Sequence, residues 1–390
     1  MPHILVTPHS DIDVCSKNDK INFDFIATSH FDQKIGVKTA NKEFMLTKVA
    51  KKENFLIKLD VPTRLSPVSL MKEALNTYAQ KIEAQLLFSN TNSFVANKVA
   101  PQEEYLKSID YFVDEFQTDK EIWIEVGFGS GVHLLHQAKS NPDKLLIGLE
   151  IHTPSIEQVL KQCKLQNITN VLVVNYDARL FLEFLDSNSV GRVFVHFPVP
   201  WDKKPHRRVM SIPFIEESMR VLKVGGTLEL RTDSPNYYEY NLELLEHFKE
   251  YESTIRSNED LDVVSKYEAR WKRQEKTIWD ITIKSKEQSQ PKILKGDFKF
   301  DGSFDTELIK NNIQRKAIIQ EDYLVHFEDL YDVQFCDSKG LLIKLTLGSF
   351  NRPVTKYILV QNNKARYFQG DPIKTRSNLL SHELVLKSLQ

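Results

Sequence analysis

Glu125-Val-Gly127-Phe-Gly129-Ser-Gly131 follows the apolar stretch Ile122-Trp-Ile124 and precedes a helix-like segment. Strand, glycine turn and helix in that order bring backbone close to a ligand. Glycine tolerates positive φ and carries no Cβ, and the helix start offers free N–H groups and a favourable dipole. The spacing is E-x-G-x-G-x-G. A dinucleotide fingerprint needs its third glycine three residues after the second, and that position is Val132. Two more carboxylates follow later strands. Glu150 ends Ile147-Gly-Leu-Glu150, where an acid can accept both hydroxyls of a ribose. Asp177, in Asn175-Tyr-Asp177-Ala178, can accept from an adenine amino group. Either acid alone reads equally well as a helix cap. Three acids after three consecutive strands, in a sheet type whose ligands sit at strand carboxyl ends, describe a nucleoside site. No Walker lysine follows the glycines and Glu125 repels phosphate, so the expected ligand is an adenosine with a cationic substituent.

The elements that must position these residues alternate from Glu121 to about Lys286. Strand candidates lie at 122–126, 145–150, 171–175, 192–197, 227–231 and 278–283, with helical segments between them, which is the pattern of an open α/β sheet. Before them, β-like runs at 21–26, 43–46 and 54–59 are separated by polar, lysine-bearing turns. Ser66-Pro67 suits the start of a helix through about Ile82. Pro101 is expected to open another, with Tyr105, Ile109 and Phe112 at helical spacing. The polar stretch 284–291 resembles a linker, and the runs at 323–327, 341–347 and 357–360 beyond it read as an antiparallel meander. The expected domains are therefore a β-rich N-terminal extension (1–95), a central α/β domain (96–286) and a β-rich C-terminal extension (287–390). The extensions mix β-like runs with lysines and aromatics and contain no second glycine turn or acid series; an RNA-facing role and plain structural cover both stand open.

Composition narrows the classes. The chain has 390 residues, 41% hydrophobic and 27% charged, with a net charge of −1. Any nucleic-acid site must therefore be a local patch, since the whole-chain field does not attract phosphates. No apolar run approaches membrane-span length, and the N-terminus lacks the charged and apolar regions of a signal peptide. Cys15, Cys163 and Cys336 show neither metal-ligand spacing nor a disulfide framework, so unpaired thiols in a reducing cytoplasm are expected. His133, His136 and His152 lack the companions a metal site needs.

After the fourth strand comes Phe197-Pro198-Val199-Pro200-Trp201-Asp-Lys203-Lys204-Pro-His206-Arg207-Arg208. The glycine turn resembles motif I of the S-adenosylmethionine (SAM) methyltransferases. The proline-x-proline-tryptophan strand end with its basic cluster resembles the F-P-D-P-W motif of the bacterial tRNA (guanine-N7)-methyltransferase family. Arg231-Thr232-Asp233 matches that family's T-D, Ser265-Lys266-Tyr267-Glu268 its T-K-F/Y-E, and the strand around Ile278-Trp279-Asp280 its closing strand. The resemblance covers roughly 95–285; longer family members carry extensions at both ends. It implies a Rossmann-like class I SAM-dependent core, SAM as cofactor, and tRNA as partner, with N7 of a variable-loop guanine (position 46) as the methyl acceptor.

On that resemblance Glu125, Glu150 and Asp177 grip SAM, while Gly127, Gly129 and Gly131 shape the turn. Lys203, Asp233, Lys266 and Glu268 hold the nucleotide. Trp201 stacks on or walls in the target base, and Lys203, Lys204, Arg207 and Arg208 meet tRNA phosphates. The bland readings are a tryptophan wedged under a proline-rich turn, a solvated basic face, an aspartate that starts a helix and a surface Lys–Glu pair. One departure stands out: the family's aspartate is Val199 here. Guanine N7 carries a lone pair and no proton, so the transfer needs alignment more than a general base, and Asp233 and Glu268 remain available. Two competitors follow: a non-catalytic RNA-binding relative, motivated by Val199, and a nicotinamide-dependent dehydrogenase, disfavoured by the missing third glycine.

Overall fold

The computed structural model describes residues 2–16, 20–40, 42–65, 69–91, 104–260, 276–321, 323–350 and 352–390. The chain divides into two compact units. One is Asn97–Ile293, the central unit; the other joins Met1–Ala96 to Leu294–Gln390, the terminal unit.

The N-terminal stretch contributes β1 (His3–Val6), β2 (Asn22–Thr28), β3 (Gln33–Lys38), β4 (Glu43–Lys51), β5 (Asn54–Leu59), α1 (Ser69–Lys81) and β6 (Leu86–Ser89). Strands β2 to β5 form an antiparallel meander. Met71, Ala74, Leu75 and Tyr78 recur at helical spacing on α1 and pack into a core with Phe23, Val37, Phe44, Leu46 and Leu59. The sequence reads 33–38 as a lysine-bearing turn; it is a strand. Lys34 can lie inside a sheet because its ammonium meets Asp32 at 3.0 Å and Asp60 at 3.1 Å.

The central unit follows: β7 (Leu106–Lys107), α2 (Ile109–Asp114), β8 (Ile122–Val126), α3 (Val132–Ser140), β9 (Leu145–Leu149), α4 (Thr153–Leu165), β10 (Val171–Val174), α5 (Ala178–Phe181), β11 (Val190–His196), α6 (Ile212–Val221), β12 (Leu222–Thr232), α7 (Pro235–Leu245), β13 (Glu252–Ser257) and β14 (Trp279–Lys284). The sheet order is β13-β14-β12-β11-β8-β9-β10-β7. All neighbours are parallel except the pairs that β14 makes with β12 and β13. Strands β8 and β11 are adjacent while their connections leave in opposite directions. That is a topological switch point, where open α/β sheets place their ligands.

Two expectations change here. The helix expected to include Tyr105 begins only at Ile109, because 106–107 pair in parallel with Val173 and Val174. The expected linker is pinned: Asn188 and Ser289 exchange hydrogen bonds of 2.7 and 2.8 Å, and Lys292 meets Glu217 at 2.7 Å.

The return stretch adds α8 (Thr306–Asn312), β15 (Ile318–Ile319), β16 (Tyr323–Gln334), β17 (Lys339–Ser349), β18 (Val354–Gln361), β19 (Lys364–Tyr367) and α9 (Arg376–Leu389). Its meander β16 to β19 continues the N-terminal one through β16 and β2, with Asp332 opposite Thr28 and Gln334 opposite Ile26. Both stretches thus share one sheet and one buried cluster, in which Phe25, Ala27 and Met45 meet Tyr331, Val333 and Phe335. The Tyr357 hydroxyl donates to Asp60 at 3.0 Å, and Arg366 grips Glu43 with two nitrogens. The expectation of unpaired cysteines is corrected: Cys15 and Cys336 form a disulfide, brought together by the β2–β16 pairing across a separation of 321 residues. Cys163 is free and buried on α4.

Candidate functional site

The glycine turn takes the conformation its residues suggest. Gly127, Gly129 and Gly131 have φ of +66°, +52° and +72°. A Cβ on Gly127 would meet nothing within 4 Å, and one on Gly129 only the Gly127 carbonyl at 4.0 Å, so these two border open space. Gly131 differs: a Cβ there would strike Val159 at 2.1 Å, so this glycine lets α3 close onto α4.

Glu150, just beyond β9, is held ready. Its Oε2 accepts from the Gly129 N–H at 3.0 Å, and its Oε1 from the N–H groups of Ile151 and His152 at 2.8 and 2.9 Å. Three backbone donors fix a half-exposed carboxylate against the turn.

Glu125 is placed otherwise. It lies within β8, a strand buried along its whole length, and its carboxylate accepts from His133 Nδ1 at 2.9 Å. A buried acid needs such a partner. The His133 ring sits 4.4 Å from that of His196, the last residue of β11. Burial, then His133 and Arg231, push the His196 pKa well below its ordinary value. These two histidines tie the glycine strand to the strand that carries the proline loop. Sequence reasoning weighs His133 only as a metal ligand and passes over His196, although an acid in an all-buried parallel strand was signal enough to look for a partner.

Asp177 is the N-cap of α5 and accepts from the Arg179 N–H at 3.0 Å. The Arg179 side chain returns to the same carboxylate through Nε at 3.1 Å and Nη2 at 2.9 Å. The helix-cap reading therefore holds for this acid, and a ligand here would meet an aspartate already gripped by arginine.

Beyond β11 the backbone turns sharply: Phe197 and Trp201 have φ of +49° and +47°, and the Phe197 N–H donates to the Arg231 carbonyl at 2.7 Å. Val199 is 60% exposed. Lys203, Lys204, His206 and Arg207 are exposed around the 3-10 turn Pro205–Arg207, and the Arg207 guanidinium lies 5.2 Å from the Trp201 ring. Arg208 departs from the phosphate reading. It is 9% exposed, donates to the Pro200 carbonyl at 2.8 Å and lies 4.3 Å from the Tyr240 ring. Two tyrosines of α7 capture it beneath the loop, where it serves as the loop's anchor.

Asp233, at the end of β12, pairs with Lys276 at 3.0 Å. The capping of α7 falls to Ser234, whose hydroxyl accepts from Tyr237. Arg231 is buried with Asp280 at 2.8 Å. Lys266 and Glu268 lie outside the described residues.

Comparison with known proteins adds an independent line. Residues 119–281 match a family described as "Putative methyltransferase". A protein of Wolinella succinogenes named tRNA (guanine-N(7)-)-methyltransferase is 43% identical over 356 residues, covering 91% of this chain and 90% of that one. Its namesake in Campylobacter fetus is 37% identical over 392 residues, covering 100% and 99%. Among solved structures, the 16S rRNA methyltransferase KamB aligns at 15% identity with a TM-score of 0.35, over 46% of this chain and 92% of that one.

Proposed function

The chain belongs to the tRNA (guanine-N(7)-)-methyltransferase family, and from that premise we propose that its central unit methylates N7 of a variable-loop guanine of tRNA, position 46. The observation that carries this reading is adjacency. Strands β8 and β11 run parallel and side by side, with Val126 opposite Val195, so the glycine turn and the proline loop open from the same end of the sheet. The residues present fit SAM. Gly127 and Gly129 border open space, and Glu150 presents a fixed carboxylate to ribose hydroxyls and to a cationic ligand. Bound there, SAM supplies the methyl group on a sulfonium.

This chain's own residues align the partners. Glu150 orients the ribose, Asp177 takes the adenine edge, and Glu125 supports the turn from behind through His133. Trp201 walls in the guanine, and Asp233 accepts from its N1–H and amino edge or balances the charge that develops on the ring. Lys266 and Glu268 share that task on the family resemblance. Lys203, Lys204 and Arg207 meet phosphates. The N7 lone pair forms the new N–C bond as the S–C bond breaks, giving a cationic 7-methylguanine and the neutral thioether S-adenosylhomocysteine (SAH). No proton moves, so alignment carries the rate and Val199 removes no general base. Among the described residues no helix is long and apolar enough to cross a membrane; a tRNA substrate assigns the work to the cytoplasm.

Incubating the protein with bulk tRNA and labelled SAM, then mapping the label, tests the reading. Label at a variable-loop guanine supports it. Tight RNA binding without transfer favours the non-catalytic relative, the second reading that Val199 motivates.

A further inference from the structure

Arg179 does more than pair with its neighbour. Its guanidinium holds the Asp177 carboxylate through Nε and Nη2, and its remaining arm, Nη1, donates to the His206 carbonyl at 3.3 Å. His206 lies 27 residues along the chain, in the 3-10 turn of the exposed basic loop. One planar group thus spans the first turn of α5 and the backbone of that loop. The side chain is largely buried, at 16% exposure, and so is its aspartate at 21%. Fork geometry makes such a bridge stiff: a guanidinium presents its donors in one plane, so fixing one edge orients the other.

The exposed loop is otherwise held by its own turn hydrogen bonds and by Arg208. Arg208 ties its near side to the Pro200 carbonyl, while Lys203, Lys204, His206 and Arg207 face solvent. Arg208 anchors the loop's end against the α7 tyrosines, and the bridge adds the hold that reaches the loop from the cofactor side. We propose that Arg179 is a positioning residue that couples the adenine end of the cofactor site to the tRNA-facing basic loop, so that cofactor and tRNA bind with positive cooperativity. The inference rests on the reading of Asp177 and the loop given above. An adenine amino group must share a carboxylate that already accepts from the Arg179 backbone and side chain, so it bears on where the guanidinium lies; Arg179 carries that constraint to the His206 carbonyl, and the loop cations are preset for phosphate. Linkage makes the effect reciprocal: tRNA tightens the cofactor by the same factor.

The test is a binding cycle on the full chain. The affinity for unmodified tRNA is measured with and without saturating SAH, for wild type, Arg179→Ala and Arg179→Lys. Wild type is expected to bind tRNA about fivefold or more tighter with SAH present. In Arg179→Ala that ratio falls towards one. Arg179→Lys keeps a cation beside Asp177 but cannot span both partners. It is expected to retain SAH affinity and still lose the cooperativity, a split that a merely stabilising ion pair does not produce. A wild-type ratio of one, or an unchanged ratio in both variants, overturns the proposal while the methyltransferase reading stands. If wild type binds neither SAH nor tRNA, that reading fails and this inference falls with it.

Discussion

Both units are built on large sheets, yet they treat their charges in opposite ways. In the terminal unit Lys34 is 5% exposed and pairs with Asp32 and Asp60, and Thr47 and Tyr357 hydrogen-bond to the same Asp60. The polar groups there answer one another inside the fold. In the central unit Glu150 sits past the end of a parallel strand and is presented by three backbone N–H groups. The first arrangement makes a charge part of the fold; the second keeps it in reserve for a ligand. Glu125 with His133 shows that the central unit also uses the first arrangement, directly behind the turn that uses the second.

The largest effect that would break this contrast is on Lys34. Lys34→Ala leaves two mostly buried carboxylates without their cation, so the terminal unit should lose about 3–5 kcal/mol. Chemical denaturation reads this, and SAH binding should be unchanged. A loss below about 1 kcal/mol, the scale of an exposed pair, would mean the network is not structural.

The disulfide sharpens the same side of the comparison. Under non-reducing conditions, replacing both Cys15 and Cys336 by serine should cost the terminal unit about 2–4 kcal/mol, seen as a lower denaturation midpoint, with methyl transfer unaffected. If the midpoint does not move, the β2–β16 pairing holds the two stretches without the bridge.

On the central side the expected loss is of ligand, not of fold. Glu150→Ala removes charge-assisted hydrogen bonds to the ribose worth about 1.5–3 kcal/mol each. Calorimetry should show weakened SAH binding, while the melting midpoint moves only by what the three lost backbone hydrogen bonds at a half-exposed site allow. Wild-type SAH affinity in that variant would remove Glu150 from the site.

The smallest effect concerns pH. Burial lowers the pKa of His382, which is 2% exposed in the terminal unit, and burial, then His133 and Arg231, lowers that of His196 in the central one. A depressed histidine takes up its proton more readily when unfolded. Stability is therefore full above the unfolded pKa of about 6.5 and falls on acidification below it, by at most about 1.4 kcal/mol per pH unit for each group. His382→Gln should flatten that slope for the terminal unit alone. An equal slope in the variant would assign the acid sensitivity to other groups.

The two units also differed in how far their sequences could be read. Six strands of the central unit are legible because each carries its own apolar run, so Gly127, Glu150 and Asp233 can be placed one at a time, while the two-residue β7 and the wholly exposed β13 carry no such signal. The union of the two termini was not legible, because Thr28 meets Asp332 through pairing that leaves no local trace; the Cys15–Cys336 bridge was hidden for the same reason. Arg208 has the same side chain as Arg207, and only Tyr237 and Tyr240, brought by α7, separate the anchor from its exposed neighbour. Arg179 stood two residues after an acid already singled out, but its reach to His206 depends on where β11 delivers the loop.

The central claim is methyl transfer to N7, and it can be met head-on. The full-length protein would be given SAM and a single tRNA made in two forms, one with guanosine at position 46 and one with 7-deazaguanosine, which has carbon where the acceptor nitrogen was. The account predicts transfer to the first and none to the second, with SAH released only in the first. Equal transfer to both would contradict it.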